Sequence, residues 1–329
     1  MLNLSLSTVR VKELNVIKKK IEKKGIKKFT HGIASTKYLQ LLALPGLIYY
    51  VVFHYIPMYG ILMAFQKYNL KKGIWGSEWI GFENFIKFFN HPNFWRLIRN
   101  TVILNVYHLV FVFPVAIVFA LLLNEVRSKR YKGLIQTISY MPHFISMPAI
   151  IGMLFMFLSP TSGAFNAFLH NTFGMEPIYF AGDPNWFRTL YIGSDIWVQT
   201  GFSAIIYIAA LSGVDQEMYE AATLDGATRL QRMRYISIPS IQSTIIILFL
   251  LSIGRLMSLG VDKVILMQGT STLTYETSEV ISTFIYRRGL ENGEFSFTTA
   301  VGIFNSIINF ALLLFANKLS RKFSDTSLW

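Results

Sequence analysis

Tyr219-Glu220-Ala221-Ala222-Thr223-Leu224-Asp225-Gly226, running on to Ile236-Ser237-Ile238-Pro239, is a polar break between two strongly apolar stretches. As a pattern it reads Glu-Ala-Ala, three residues, Gly, nine residues, then Ile-x-Ile-Pro. Residues 219–224 favour helix. Ala221 and Ala222 carry little side-chain bulk, so another surface can approach the backbone closely. Gly226 suits the left-handed conformation that ends a helix. Residues 227–235 then read as a second short helix, and Pro239 as the start of the next apolar span. The stretch 215–239 is therefore expected to be a helix-turn-helix finger held between two membrane spans.

Outward from the finger, apolar runs long enough to cross about 30 Å of hydrocarbon recur along the chain. Six are expected: 38–65, 97–123, 134–158, 191–214, 241–259 and 296–316. All must be helical, because backbone groups in lipid have to be satisfied internally. The expected fold class is an all-α membrane protein of about six transmembrane helices. Pro45 and Pro57 are expected to bend the first span, and Pro114 lies inside the second. Pro142 and Pro148 interrupt the third, with 141–142 as loop or broken helix. Residues 159–190 and 260–295 read as loops. The expected organisation is a basic segment at 1–37, a transmembrane domain at 38–316 and a short tail at 317–329.

Composition agrees. Hydrophobic residues make up 53% of the 329, and charged residues 15%, against about 25% in soluble proteins. The net charge of +13 does not point to nucleic acid, because the basic residues flank apolar spans. Lys and Arg number 20 in the N-terminal segment, the second and fourth loops and the tail, against 9 in the other three loops. By the positive-inside rule both termini and the finger are expected to be cytoplasmic. The first long apolar run begins near Tyr38, too late for a secretory signal. Before it, Val9, Val11, Leu14, Ile17 and Ile21 can form one helix face among lysines, which suits membrane lipids of the inner leaflet. A solvated tail fits that segment equally well. The chain has no cysteine, which excludes disulfides and thiolate sites.

Catalytic chemistry is not expected. There is no Gly-Lys dipeptide and hence no P-loop. The six histidines are scattered without ligand spacing, so no metal site is expected. Charges inside spans are costly, about 2.5–3.5 kcal/mol each on insertion scales. Asp195 and Arg255 are the clear cases; Arg99 lies near a membrane edge. Asp195, four residues into the expected fourth span, is placed near the outer interface. Arg255 reads either as a residue of the translocation path or as the structural partner of Asp195 or of backbone carbonyls. Tyr140, Trp197 and Tyr207 are candidates for stacking on sugar rings, although belt and packing roles are commoner for aromatics. A secondary transporter is the main rival class, but it usually shows internal repeats and intramembrane carboxylates, and only Asp195 qualifies.

The Glu-Ala-Ala pattern resembles the coupling loop of ABC-importer permeases, with Ile238 where the family usually has Leu. A chance match is about one in ten million per start site at average residue usage. The resemblance extends through Leu44-Pro45-Gly46-Leu47, Pro57-Met58-Tyr59-Gly60, Ala64-Phe65, Gly81-Phe82-Glu83-Asn84-Phe85 and Asn100-Thr101. It continues to Gly302-Ile303-Phe304-Asn305-Ser306 and Thr326-Ser327-Leu328-Trp329. Among carbohydrate permeases it is most similar to the branch that imports complex oligosaccharides, such as lipoprotein-associated and rhamnogalacturonan-oligosaccharide permeases. The resemblance implies a type I, MetI-like permease in a bacterial cell membrane. Its implied partners are a second and usually different permease, two ATPase subunits that hydrolyse ATP, an extracellular solute-binding protein and an oligosaccharide. No cofactor is implied for this chain itself. The implied docking residues are Glu220, Ala221, Ala222, Asp225, Gly226, Arg229, Ile236 and Pro239. A permease for a non-sugar solute is the alternative within the class.

Overall fold

The computed structural model describes residues 37–269, 272–323 and 327. The basic segment 1–36, with its expected surface helix or tail, and residues 324–326 and 328–329 lie outside the described residues. Packing groups the chain into two units, Met1–Ile61 and Leu62–Trp329. In the first, the helix of the first span exposes most of its large apolar side chains, including Leu42, Phe53 and Ile56. Apolar character all round is what a helix in hydrocarbon requires.

Tyr38–Phe65, Phe94–Asn124, Pro184–Ser212 and Phe295–Lys322 are each long and apolar enough to cross a membrane as one helix. Two further pairs are bent: Lys129–Phe144 with Met147–Phe157 at 100°, and Arg229–Ser240 with Gln242–Ile253 at 66°. Counting each pair as one broken span gives the expected six. In the third span the break falls at Ile145 and Ser146, both extended, between a 3-10 turn at Met141–Phe144 and Pro148 at the next helix start.

Proline writes a further irregularity into three spans. Wide π-type turns at Val51–Tyr55, His108–Val112 and Met233–Ser237 each end two residues before a proline, Pro57, Pro114 and Pro239. Proline has no N–H to donate, and its ring crowds the carbonyl four residues back. A widened turn relieves that crowding inside a continuous helix.

Two expectations about span ends need correction. The fourth helix starts at Pro184, not near 191, with Asp183 Oδ1 accepting the Asn185 N–H at 2.9 Å. A proline that reads as loop punctuation is also the preferred first residue of a helix. Asp195 is thereby well inside the helix and not near its outer end. The fifth helix ends at Ile253, so Arg255 lies in a turn beyond it. Helix was also missed within both expected loops, at Ala164–Phe173, Val261–Gln268, Tyr275–Ser278 and Ile281–Tyr286. These segments are too short to register as spans.

Three clusters form the core. One joins Leu104, Ile150, Phe187, Tyr191 and Val264; a second joins Phe88, Leu97, Ile281, Phe284 and Val301. The third, beside the finger, joins Ala116, Ala120, Ala204, Tyr207 and Ile241. Its small residues let helices approach closely, which is how spans associate without a hydrophobic driving force between them. Gly201 shows the limit: a Cβ there would lie 2.1 Å from the Ser139 carbonyl oxygen.

At the end of the second span away from the finger, polar side chains tie these elements together. Asn100 Nδ2 donates to the carbonyls of Glu276 and Glu279, and Arg188 donates to Asn100 Oδ1 at 3.1 Å. Arg96 and Arg287 both pair with Glu279. His91, between the helix Glu83–Phe89 and the second span, packs edge-on to Phe284 and accepts the Asn93 N–H at Nδ1. Burial holds its pKa below the ordinary imidazole value, and Arg288 and Lys87 add to the shift against Glu279 and Glu294. The unfolded chain therefore takes up this proton first as pH falls. The His91 contribution to stability is full above about pH 6.5, the unperturbed value, and is lost on acidification through the lower folded value. Thermal unfolding in detergent is expected to show an acid-induced fall that His91→Gln reduces. An unchanged pH profile in that variant would remove His91 as its source.

Candidate functional site

The finger is built by local rules. Asp215 Oδ1 accepts the Glu217 N–H at 3.0 Å and starts the helix Gln216–Leu224. Gly226 ends it at φ 77°. The Ala227 N–H reaches the Ala222 carbonyl at 2.9 Å and the Gly226 N–H reaches that of Thr223 at 3.1 Å, the paired bonds of a Schellman cap. Thr228 and Gln231 then form a reciprocal capping box at the start of Arg229–Arg232.

Two contacts brace the finger internally, and one ties it to the membrane domain. Tyr219 Oη and Ser237 Oγ lie 2.9 Å apart. Arg232 donates to Thr223 Oγ1 at 2.8 Å and to Glu125 Oε2 at 2.7 Å, joining the finger to the end of the second span. Arg232 is thus committed within the chain. Glu220 and Arg229 are exposed and have no partner among the described residues. Ala221, Asp225, Gly226 and Pro239 are exposed as well, with Ala222 and Ile236 half-buried. The finger also presents Leu224, 89% exposed, and Leu230, 74% exposed. Beneath it a cavity of about 630 Å³ is lined by Glu125, Arg127, Tyr219, Glu220, Thr223 and Arg232. The exposed rim of the finger thus carries the carboxylates of Glu220 and Asp225, small residues and two leucines.

A second cavity, about 450 Å³, opens between the second, fourth and fifth spans. Arg255 and Tyr207 line it, together with His108, Gln199, Phe202, Ser203 and Ser252. The other path candidates lie elsewhere. Trp197 lines a separate apolar pocket with Met153 and Phe157. Tyr140 ends the helix Lys129–Tyr140 at the break in the third span and lines neither cavity.

Asp195 is buried, and its partner is Lys263, not Arg255: Oδ1 to Nζ is 2.7 Å, with the side chains 4% and 7% exposed. Lys263 Nζ also donates to the Tyr191 carbonyl at 2.7 Å. Lys263 escaped the sequence reading because its helix, Val261–Gln268, sits in a stretch too short to read as a span. Glu125 and Phe202 were missed too. The signal for Glu125 was present: a carboxylate at the end of a span, opposite the basic half of the finger.

A membrane domain that is helical but for the short ribbon pairing Gln66–Lys67 with Glu78–Trp79, with broken spans and a protruding finger, has the architecture of a permease of the binding-protein-dependent class. The chain belongs to the family described as "Binding-protein-dependent transport system inner membrane component", whose profile matches residues 112–325. It is 43% identical to Protein LplB of Bacillus subtilis (strain 168) over 293 residues, 89% of this chain and 91% of that protein. It is 41% identical over 308 residues to the polygalacturonan/rhamnogalacturonan transport system permease protein YteP of the same organism, 94% of this chain and 95% of that protein. A crystal structure of a bacterial alginate ABC transporter, in complex with alginate pentasaccharide-bound periplasmic protein, superposes with a TM-score of 0.82. The matched chain is 39% identical and the match covers 90% of this chain and 98% of that one. The chain is accordingly a multi-pass membrane permease, a transporter subunit of an ABC system, and not a secondary transporter.

Proposed function

We propose that this chain forms half of the translocation path of an ATP-driven importer for oligosaccharides and docks an ATPase through the finger 215–239. The carrying observation is the finger itself: it is rigidly capped, tied to the spans by Arg232–Glu125, and exposes Glu220 unpaired. Glu220 meets a basic group of the ATPase, and Ala221, Ala222 and Gly226 let that surface come close. Asp225 and Arg229 contact it from the tip, while Ile236 and Pro239 carry its motion into the fifth span as a rigid body.

The substrates for which the relatives are named support a sugar, and the basic residues support a cytoplasmic finger with both termini on the same side. One finger per chain calls for a second permease if two ATPases are to be docked. An extracellular solute-binding protein delivers the substrate, and ATP chemistry resides in the ATPases. The test is uptake into vesicles carrying the complete complex. ATP-dependent accumulation of an oligosaccharide is expected. Accumulation driven by an ion gradient without the ATPase would overturn the reading, and ATP-dependent uptake restricted to non-sugar solutes would move it to another branch.

A further inference from the structure

Arg255 is held in place by a purpose-built break. The helix Gln242–Ile253, about 18 Å long at 1.5 Å per residue, runs from the finger into the membrane domain and stops at Gly254. A Cβ on Gly254 would come within 3.0 Å of Leu313 Cδ1, so glycine lets the turn lie against the sixth span. Asn309 of that span clamps the turn twice: Oδ1 accepts the Met257 N–H at 2.8 Å and Nδ2 donates to Ser258 Oγ at 2.8 Å. The Ser258 N–H returns to the Arg255 carbonyl at 2.8 Å. The turn is thus fixed with the exposed Arg255 lining the second cavity.

The charge there is unbalanced. No Asp or Glu lines the cavity, and Arg255 has no partner among the described residues. Asp195 is near in sequence to the lining Gln199, but it is neutralised by Lys263, and its Oδ1 accepts the Gln199 Nε2–H at 3.0 Å. An unpaired guanidinium within a membrane domain is costly unless it faces water or an anion. Around it stand groups suited to a sugar: the hydroxyls of Ser203 and Ser252, the amide of Gln199 and the ring of Phe202. Phe202 is 41% exposed. The His143 ring stacks on it at 3.8 Å between centroids and 5° between planes, and Phe144 meets it edge-on. That backing holds the ring ready to meet the C–H face of a pyranose.

We infer that this cavity is a subsite for a carboxylated sugar, with Arg255 binding the uronate carboxylate and Phe202 stacking on its ring, so that the chain selects acidic over neutral oligosaccharides. The inference rests on the proposed function and names the substrate class for it. A guanidinium presents a fork that matches a carboxylate with two parallel hydrogen bonds.

The test is uptake by the complete importer in proteoliposomes, with trigalacturonate and an alginate trisaccharide as acidic probes and the methyl ester of trigalacturonate as the neutral one. Each is supplied at saturating binding protein, which is common to all variants. Arg255→Gln is expected to lower acidic uptake by about 10- to 100-fold, the range for losing a hydrogen bond to a charged group, with neutral uptake nearly unchanged. Arg255→Lys should restore part of the acidic uptake. Equal losses for charged and neutral probes would overturn the inference and assign Arg255 to assembly. Full acidic uptake by Arg255→Gln would also overturn it, as would a wild type that imports only the ester. A wild type that imports no sugar with ATP would instead remove the proposed function, and this inference with it.

Discussion

Deletion of residues 220–226 is expected to abolish co-purification of the ATPase and all ATP-driven uptake, while the chain still inserts in the membrane. The expectation follows from where the finger's contacts lie. The three core clusters draw on the spans and the short helices at the far end, and the finger contributes to them only through Met233, packed against the third. Removing the exposed tip therefore costs the fold little and the docking surface nearly everything. A milder variant separates contact from shape. Glu220→Lys leaves the three caps intact and reverses an exposed carboxylate that no other group of the finger neutralises. Its cost is expected to match an interface hot spot, about 2 kcal/mol or more, a loss of roughly 30-fold or greater in ATPase affinity. Pull-down of the ATPase from detergent-solubilised complexes reads both variants. Undiminished recovery with the deletion would remove the finger as the docking element.

Replacing Lys263 with Met is expected to destabilise the chain by about 3–5 kcal/mol, the range for stranding one member of a buried ion pair. Asp195 would be left as a buried carboxylate with only Gln199 for a side-chain partner, and the Tyr191 carbonyl would keep the Ser194 hydroxyl but lose the ammonium. The helix Val261–Gln268 would lose its polar attachment to the fourth span. The double variant Lys263→Met with Asp195→Leu removes both charges, and is expected to recover most of the loss, because well-packed apolar replacements of a buried pair are often neutral. Thermal unfolding of the purified chain in detergent measures both. A single variant as stable as the wild type would show that the pair carries no structural weight.

The comparison of these two sites shows what kind of information a sequence carries. The finger was legible residue by residue. Its helix start and its glycine stop are set within a few neighbours, and the structure realises them as an Asp cap and a Schellman cap, with a capping box opening the second helix; the expected start of the next span at Pro239 falls instead inside helix that runs to Ser240, before the bend into Gln242–Ile253. The six apolar segments were legible for a similar reason, since hydrophobic length is a local property; that two of them are bent pairs of helices was legible only for the third, from its prolines. The ends of spans were less so. Pro184 marks a loop and a helix start equally well in sequence, and only the Asp183 cap and the packing of Phe187 and Tyr191 decide for helix.

The pairing of charges within the spans was not legible. Asp195 and Arg255 were the evident charges in the spans and invited pairing with each other. The tertiary structure gives Asp195 to Lys263 and leaves Arg255 facing a cavity. Nothing local distinguishes those outcomes, because partners 68 and 60 residues apart along the chain are chosen by how helices pack. By itself, then, the sequence determined the membrane class, the six apolar segments and the helical finger, all of which follow from composition and short-range backbone rules. Only the tertiary structure decided which charges neutralise each other and which one is left lining a cavity. That choice depends on the close approach of separate spans, at Gly201 to Ser139 and Gly254 to Leu313, which no single stretch of sequence contains.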